Sequence, residues 1–204
     1  MAKGLAQING ITDRRSLMEV IAGMHSCADF PFFSAAVMSD MADSDVNVLY
    51  FSQSGLGMSD RDYYLNPEDS LLKAGYASYL EKILGLAGME DAGKAAEDAM
   101  TVENAIAEAS WSSVELRDVL KSYNPMTTAQ LKETYPNIDF STWFRSVGME
   151  EQDKVIVSQP SYFSALDTLF NTMDIEVLKH YLATQYISGV CQYLSDDFYS
   201  AWFD

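Results

Sequence analysis

Apolar and polar residues alternate in two ways along the chain, first at strand spacing and then, for most of its length, at helical spacing. Leu17, Val20, Ile21 and Met24 recur every three to four residues behind Thr12-Asp13, which predicts a first helix opening there. Arg14 and Arg15 fall in its first turn, where the helix dipole disfavours cations, so they are expected to face solvent or an acidic partner. Phe30 to Met38 (FPFFSAAVM) reads as a strand. In a second strand Val46, Val48 and Tyr50 alternate with Asn47, Leu49 and Phe51. The acidic stretch Ser39 to Asp45 between them predicts a β-hairpin closed by a longer loop. The second strand breaks at Ser54-Gly55-Leu56-Gly57, where two glycines free the backbone.

Helices dominate from there on. Asn66 as a cap, Pro67 in the first position and Glu68-Asp69 against the dipole predict a long helix. It carries Leu72, Tyr76, Tyr79, Leu80 and Ile83 on one face and ends at Gly85 to Gly88. Met89 to Ser110 follows as a helix with a narrow stripe of Ala99, Val102, Ile106 and Ala109. Trp111 to Leu120 reads as a shorter helical piece, broken at Tyr123-Asn124-Pro125. Thr127-x-x-Gln130 is a capping box for a helix through Tyr135. Phe140 to Val147 is an amphipathic turn or two, and Lys154 to Ser158 a short strand at the edge of the small sheet. Pro160 opens a helix bearing Phe163, Leu166, Leu169 and Phe170. Asp174 caps the last long one, with Leu178, Tyr181, Leu182 and Gln185. Ser195-Asp196-Asp197 either caps a final helix through Phe203 or continues the previous one. The pattern predicts a mainly α chain with a small antiparallel β-hairpin, residues 1–204 forming a single predominantly helical domain. Phe198, Trp202 and Phe203 keep an apolar pattern running up to Asp204. That reads as a fragment of a larger polypeptide, with an exposed apolar patch available for self-association.

Hydrophobic residues make up 48% of the 204, enough for a substantial core. No apolar run reaches the ~20 residues that a membrane helix needs, and no signal-peptide pattern stands at the start. The compartment of a parent protein is left open. Thirty acids face thirteen bases, a formal charge of -17, which repels nucleic-acid phosphates. The acidity reads as a solvated surface, with a bias toward basic peptides or cations as the sharper alternative. Cys27 and Cys191 lack CxxC spacing and sit among apolar residues, so both are expected to be buried free thiols. Asp40, Asp43 and Asp45 lack the spacing and closing Glu of a calcium loop and read as a solvated turn.

Four ordered segments carry a resemblance. Gln53-Ser54-Gly55-Leu56-Gly57-Met58 followed by Arg61-Asp62-Tyr63-Tyr64-Leu65 resembles the QxxLGLPSRDYY segment of the neprilysin / endothelin-converting-enzyme family of zinc metallopeptidases, the oligoendopeptidase O-like enzymes included. Ser110-Trp111-Ser112 through Glu115-Leu116-Arg117-Asp118 is similar to that family's ASWSxxELRD stretch. Tyr123-Asn124-Pro125-Met126-Thr127 resembles its YNxMT turn, and Val155 to Phe163 its VxVxxPxYF segment. The resemblance covers roughly Ile8 to Phe203 and only the N-terminal, mostly helical lobe of the family. It implies zinc-dependent hydrolysis of short peptides by a parent enzyme, with this region helping to enclose the substrate cavity. The partners it implies are the catalytic domain of the same polypeptide and peptide substrates. The zinc belongs to that catalytic domain, and no cofactor is expected on this chain.

The chemistry of such an enzyme needs two histidines one helical turn apart with a Glu between them. This chain has only His25 and His180, neither followed by a second His, and both read as helix-surface residues. The chain alone is therefore expected to be inactive, with no catalytic or metal-ligating residue. Arg61, Asp62, Tyr63 and Tyr64 are the substrate-binding candidates. In one reading they face a peptide cavity and Arg61 takes a carboxylate. In the other, Arg61 and Asp62 fix the loop by backbone hydrogen bonds and ion pairing while the tyrosines pack below. A stand-alone helical module that binds peptide or glycan through its aromatic surface is the competing class.

Overall fold

The computed structural model describes residues 1–203. Asp204 lies outside them. A helix that the spacing did not announce, α1 (Ala2–Asn9), comes first. In the next, α2 (Arg14–His25), the Asp13 carboxylate accepts from the Ser16 amide at 2.7 Å while the Asp13 amide donates back to Ser16 Oγ at 3.1 Å. Leu17, Ile21 and Met24 are buried along it as their spacing requires. Arg14 departs from expectation: its guanidinium donates to the Met173 carbonyl, so it bridges to another helix end.

The sheet has four strands in the order β1 (Phe33–Asp40), β2 (Asp43–Gln53), β4 (Val155–Val157), β3 (Pro125–Met126). The hairpin forms, but its loop is a tight turn at Met41-Ala42. Asp40 tightens it by accepting the Ala42 amide at 2.9 Å. β4 is an interior strand, parallel to β2 and antiparallel to β3, and not the edge strand predicted. Its residues Val-Ile-Val are fully buried on both faces, as interior parallel strands require. One face of the sheet, with Phe51, Val155 and Val157, joins the main core. The other, with Val48, Tyr50 and Ile156, is covered by Tyr123.

The strand break leads into one turn of helix, α3 (Asp62–Leu65), and a 3₁₀ turn at Pro67–Asp69 before the long α4 (Ser70–Leu86). Asn66 makes no side-chain cap there, and Leu72 is exposed. The helix α5 (Ala92–Ala109) buries Ala99, Val102 and Ile106 and packs against α4 and the later helix over Ile175–Val190. Of the Trp111 to Leu120 piece only the 3₁₀ turn Glu115–Arg117 is helical. The helices α6 (Thr128–Thr134), with both bonds of its Thr127–Gln130 box, and α7 (Phe140–Ser146) follow. The chain closes with α8 (Pro160–Thr172), α9 (Ile175–Val190), capped by Asp174, and α10 (Asp196–Phe203). Phe33, Phe51, Phe140, Trp143 and Phe163 form the aromatic centre where sheet and helices meet.

Candidate functional site

The segment from Ser54 to Leu65 has little regular structure of its own, so its backbone groups need partners from elsewhere. Buried hydroxyls supply them. Tyr162 of α8 donates to the Ser54 carbonyl at 2.9 Å, and Tyr181 of α9 donates to the Gly55 carbonyl at 2.7 Å. Gly55 holds φ +101°, and a Cβ there would stand 2.5 Å from the Phe32 nitrogen and the Tyr181 hydroxyl. Both the backbone angle and the space therefore require glycine. The upstream end is clamped by Gln53. Its amide donates to Gln159 Oε1 at 2.8 Å, while its side chain exchanges two bonds with the Trp111 backbone.

The downstream end rests on Glu103, a fully buried residue of α5. Its carboxylate accepts from the Tyr64 hydroxyl, from the Tyr76 hydroxyl at 3.0 Å, from Gln185 Nε2 at 2.9 Å and from the Gly57 amide at 3.3 Å. Tyr64 in turn accepts the Met58 amide at 2.8 Å. Burial pushes the Glu103 carboxyl up to about 7 despite these donors. Burial and the neighbouring Glu103 charge push the Tyr64 and Tyr76 phenols well above their ordinary range. Sequence reasoning missed Glu103. The available signal was its position: it stands four residues after Ala99 and three before Ile106, a carboxylate within an apolar stripe.

The four residues singled out from the sequence do not converge. Arg61 donates to the Ser110 carbonyl at the end of α5. Asp62 is exposed and makes no ion pair with Arg61; its amide is held by Asp60 Oδ1 at 3.0 Å. Tyr63 is exposed and Tyr64 buried on Glu103. Two clefts open elsewhere, one of about 420 Å³ between α5 and α8 and one of about 830 Å³ bounded by α1, α2 and α9. Neither is lined by residues 61–64.

His25 differs from expectation, whereas His180 sits partly exposed on α9. His25 is buried against Phe33 and Trp143, because its helix face turns into the aromatic centre. Trp143 Nε1 donates to its Nδ1 at 2.9 Å, which leaves Nε2 to carry the proton toward the Pro31 carbonyl at 3.3 Å. Burial holds its pKa down at about 4. His180 Nδ1 lies 2.8 Å from Asp98 Oδ2. With one histidine nitrogen accepting from an indole and the other facing a carbonyl, His25 has no lone pair free for a metal. Among the described residues no three His, Cys, Asp or Glu side chains gather as a metal would need, so the residues present do not fit a zinc ion. Cys191 is buried, but Cys27 is exposed, because α2 ends at His25 and leaves it in the following turn. Asp40 is likewise no solvated turn residue. It is buried, and hydrogen bonds first from Lys154 and then from Tyr123 hold its carboxyl down at about 2.

The model of peptidase family M13, built on the family's N-terminal part, matches residues 1–204. Human endothelin-converting enzyme 1 is 31% identical over 179 residues, which cover 84% of this chain and 23% of that protein. The neutral endopeptidase of Lactobacillus helveticus is 27% identical over 169 residues, 82% of this chain and 26% of that one. Among solved structures, Mycobacterium tuberculosis zinc metalloprotease ZMP1 in complex with inhibitor matches at a TM-score of 0.94 and 25% identity, over 99% of this chain and 32% of that chain. The chain spans about a quarter of the length of the curated relatives it matches. It belongs to peptidase family M13 and corresponds to the N-terminal, helical region of that neprilysin-like family.

Proposed function

We propose that this chain is the non-catalytic part of a neprilysin-like zinc metalloendopeptidase that hydrolyses short peptides, and that it forms part of the wall round the substrate cavity. The observation that carries the reading is the match of the family's N-terminal model along the whole chain. Zinc and the groups that activate water are assigned to another part of the same polypeptide, which is also the partner of this region. The surface supports such a partner. Val114, Val119 and Leu120 are exposed beside the Glu115–Arg117 turn, Leu120 at 85%, and Leu71 of α4 at 87%. Within the wall, the Ser54–Leu65 loop is the element that offers the exposed Asp62 and Tyr63 to a substrate.

The test uses the purified chain with added zinc and a panel of short peptides. No cleavage, together with self-association that Val114→Ser/Leu120→Ser suppresses, is the expected result. Zinc-dependent cleavage by the chain alone would overturn the reading. A strictly monomeric chain that binds peptide or glycan unaided would favour the stand-alone binding module.

A further inference from the structure

Glu103 is a carboxylate removed from water on a face where α3, α4 and α9 meet α5, and its four hydrogen-bond partners are all neutral. Tyr64 faces it from α3, Tyr76 from α4, Tyr181 and Gln185 from α9, and the Gly57 amide from the loop. Several basic groups on the same elements are engaged elsewhere. Lys73 of α4 donates to the Tyr64 carbonyl at 2.8 Å, and Lys94 of α5 and His180 of α9 both bind Asp98. Two of the four partners, Gly57 and Tyr64, belong to the Ser54–Leu65 segment. Lifting that segment takes two donors away and lets water reach the carboxyl. Water stabilises the ionised carboxylate far more than the neutral acid, so opening favours loss of the proton and closing favours its return.

We propose that Glu103 makes the seating of the Ser54–Leu65 loop proton-linked, the loop sitting most tightly while this carboxyl carries its proton and loosening as the proton leaves. The folded carboxyl titrates at about 7 against 4.5 when solvated. A group whose pKa is raised on burial stabilises the buried state fully below its solvated pKa, and that contribution declines as pH rises through the folded value. The change therefore falls mainly between about pH 4.5 and 7. The inference concerns how the loop is held and stands whether or not the loop faces a substrate.

Amide hydrogen exchange followed by NMR on the full chain tests it, with the Gly57 and Met58 amides as reporters and the Leu166 amide of α8 as a control outside the cluster. After correction for intrinsic pH dependence, protection at Gly57 and Met58 is expected to fall roughly 50-fold from pH 5 to 8, by linkage. Leu166 should stay level, and the Glu103 carboxyl carbon should titrate at about 7, where the fall at Gly57 and Met58 levels off. Glu103→Gln should abolish the fall. A flat wild-type profile, a fall retained in Glu103→Gln, or a parallel fall at Leu166 would each overturn the proposal. Should Glu103→Gln fail to fold, Tyr76→Phe removes one donor from the carboxylate and is expected to raise the midpoint. An unmoved midpoint in that variant would overturn it as well.

Discussion

His25 makes the stability of this chain depend on acid in a way that can be separated from every other group. The neutral ring is packed against Phe30, Phe33 and Trp143, with an indole N–H aimed at Nδ1. Protonation would set an N–H against that N–H inside the core. The folded pKa is about 4, against 6.5 for a free histidine. A base whose pKa is depressed by folding destabilises as pH falls below its unfolded value, and the loss is complete below the folded one. Linkage then gives a loss of about 2 kcal/mol between pH 8 and 5 and a ceiling of about 3 kcal/mol. For a chain of this length, about 2 kcal/mol corresponds to a fall in Tm of roughly 4–8 °C. Glu103 titrates across the same range with the opposite sign, so a wild-type pH curve alone mixes the two. The comparison needed is with His25→Leu, in urea melts at several pH values from 5 to 8. The variant should start lower at pH 8 by about 1–3 kcal/mol, since Trp143 Nε1 loses its acceptor. The gap should then close by about 2 kcal/mol on going to pH 5. Stability curves that run parallel in the two proteins across this range would refute the argument.

Gly57→Ala should cost about 2–4 kcal/mol, because the added carbon would come 2.6 Å from Tyr76 Cζ and drive the Tyr76 hydroxyl off Glu103. A Tm within a degree of wild type would contradict that geometry. Arg61→Ala removes the donor to the Ser110 carbonyl and should cost about 1–3 kcal/mol in urea melts. Made in the full-length enzyme, the same change separates the two roles: lower stability with unchanged peptide affinity in the folded fraction would rule out substrate binding by Arg61.

What the sequence disclosed was local, and what it hid was distant. The Thr127–Gln130 box, the Asp174 cap and the buried faces of α2 and α5 follow from spacings of three or four residues, and each stands as spacing requires. The family resemblance rested on ordered short segments, and three of those segments meet in space: Gln53 is bonded to both Trp111 and Gln159. The placement of β4 between β2 and β3 could not be read, because a three-residue apolar run carries no signal for its neighbours. The hairpin loop was misjudged because Asp40 and Asp43 read as solvent-loving, whereas Asp40 is buried by a lysine over 100 residues away. Glu103 was one acid among thirty. Only the tyrosines that converge on it from α3 and α4 and the glutamine from α9 set it apart.

The position of β4 has a consequence for synthesis on the ribosome. The hairpin of β1 and β2 is made early, yet its inner edge pairs only with residues 155–157, and the Gln53 amide waits for a side chain 106 positions later. At elongation rates of about 5–20 residues per second, that edge stays unpaired for roughly 5–20 s in every nascent chain. During that interval Leu49, Tyr50 and Phe51 present an open strand to other chains and to holding chaperones. Crowded polysomes should therefore be where this protein aggregates, and slowing translation should worsen its yield.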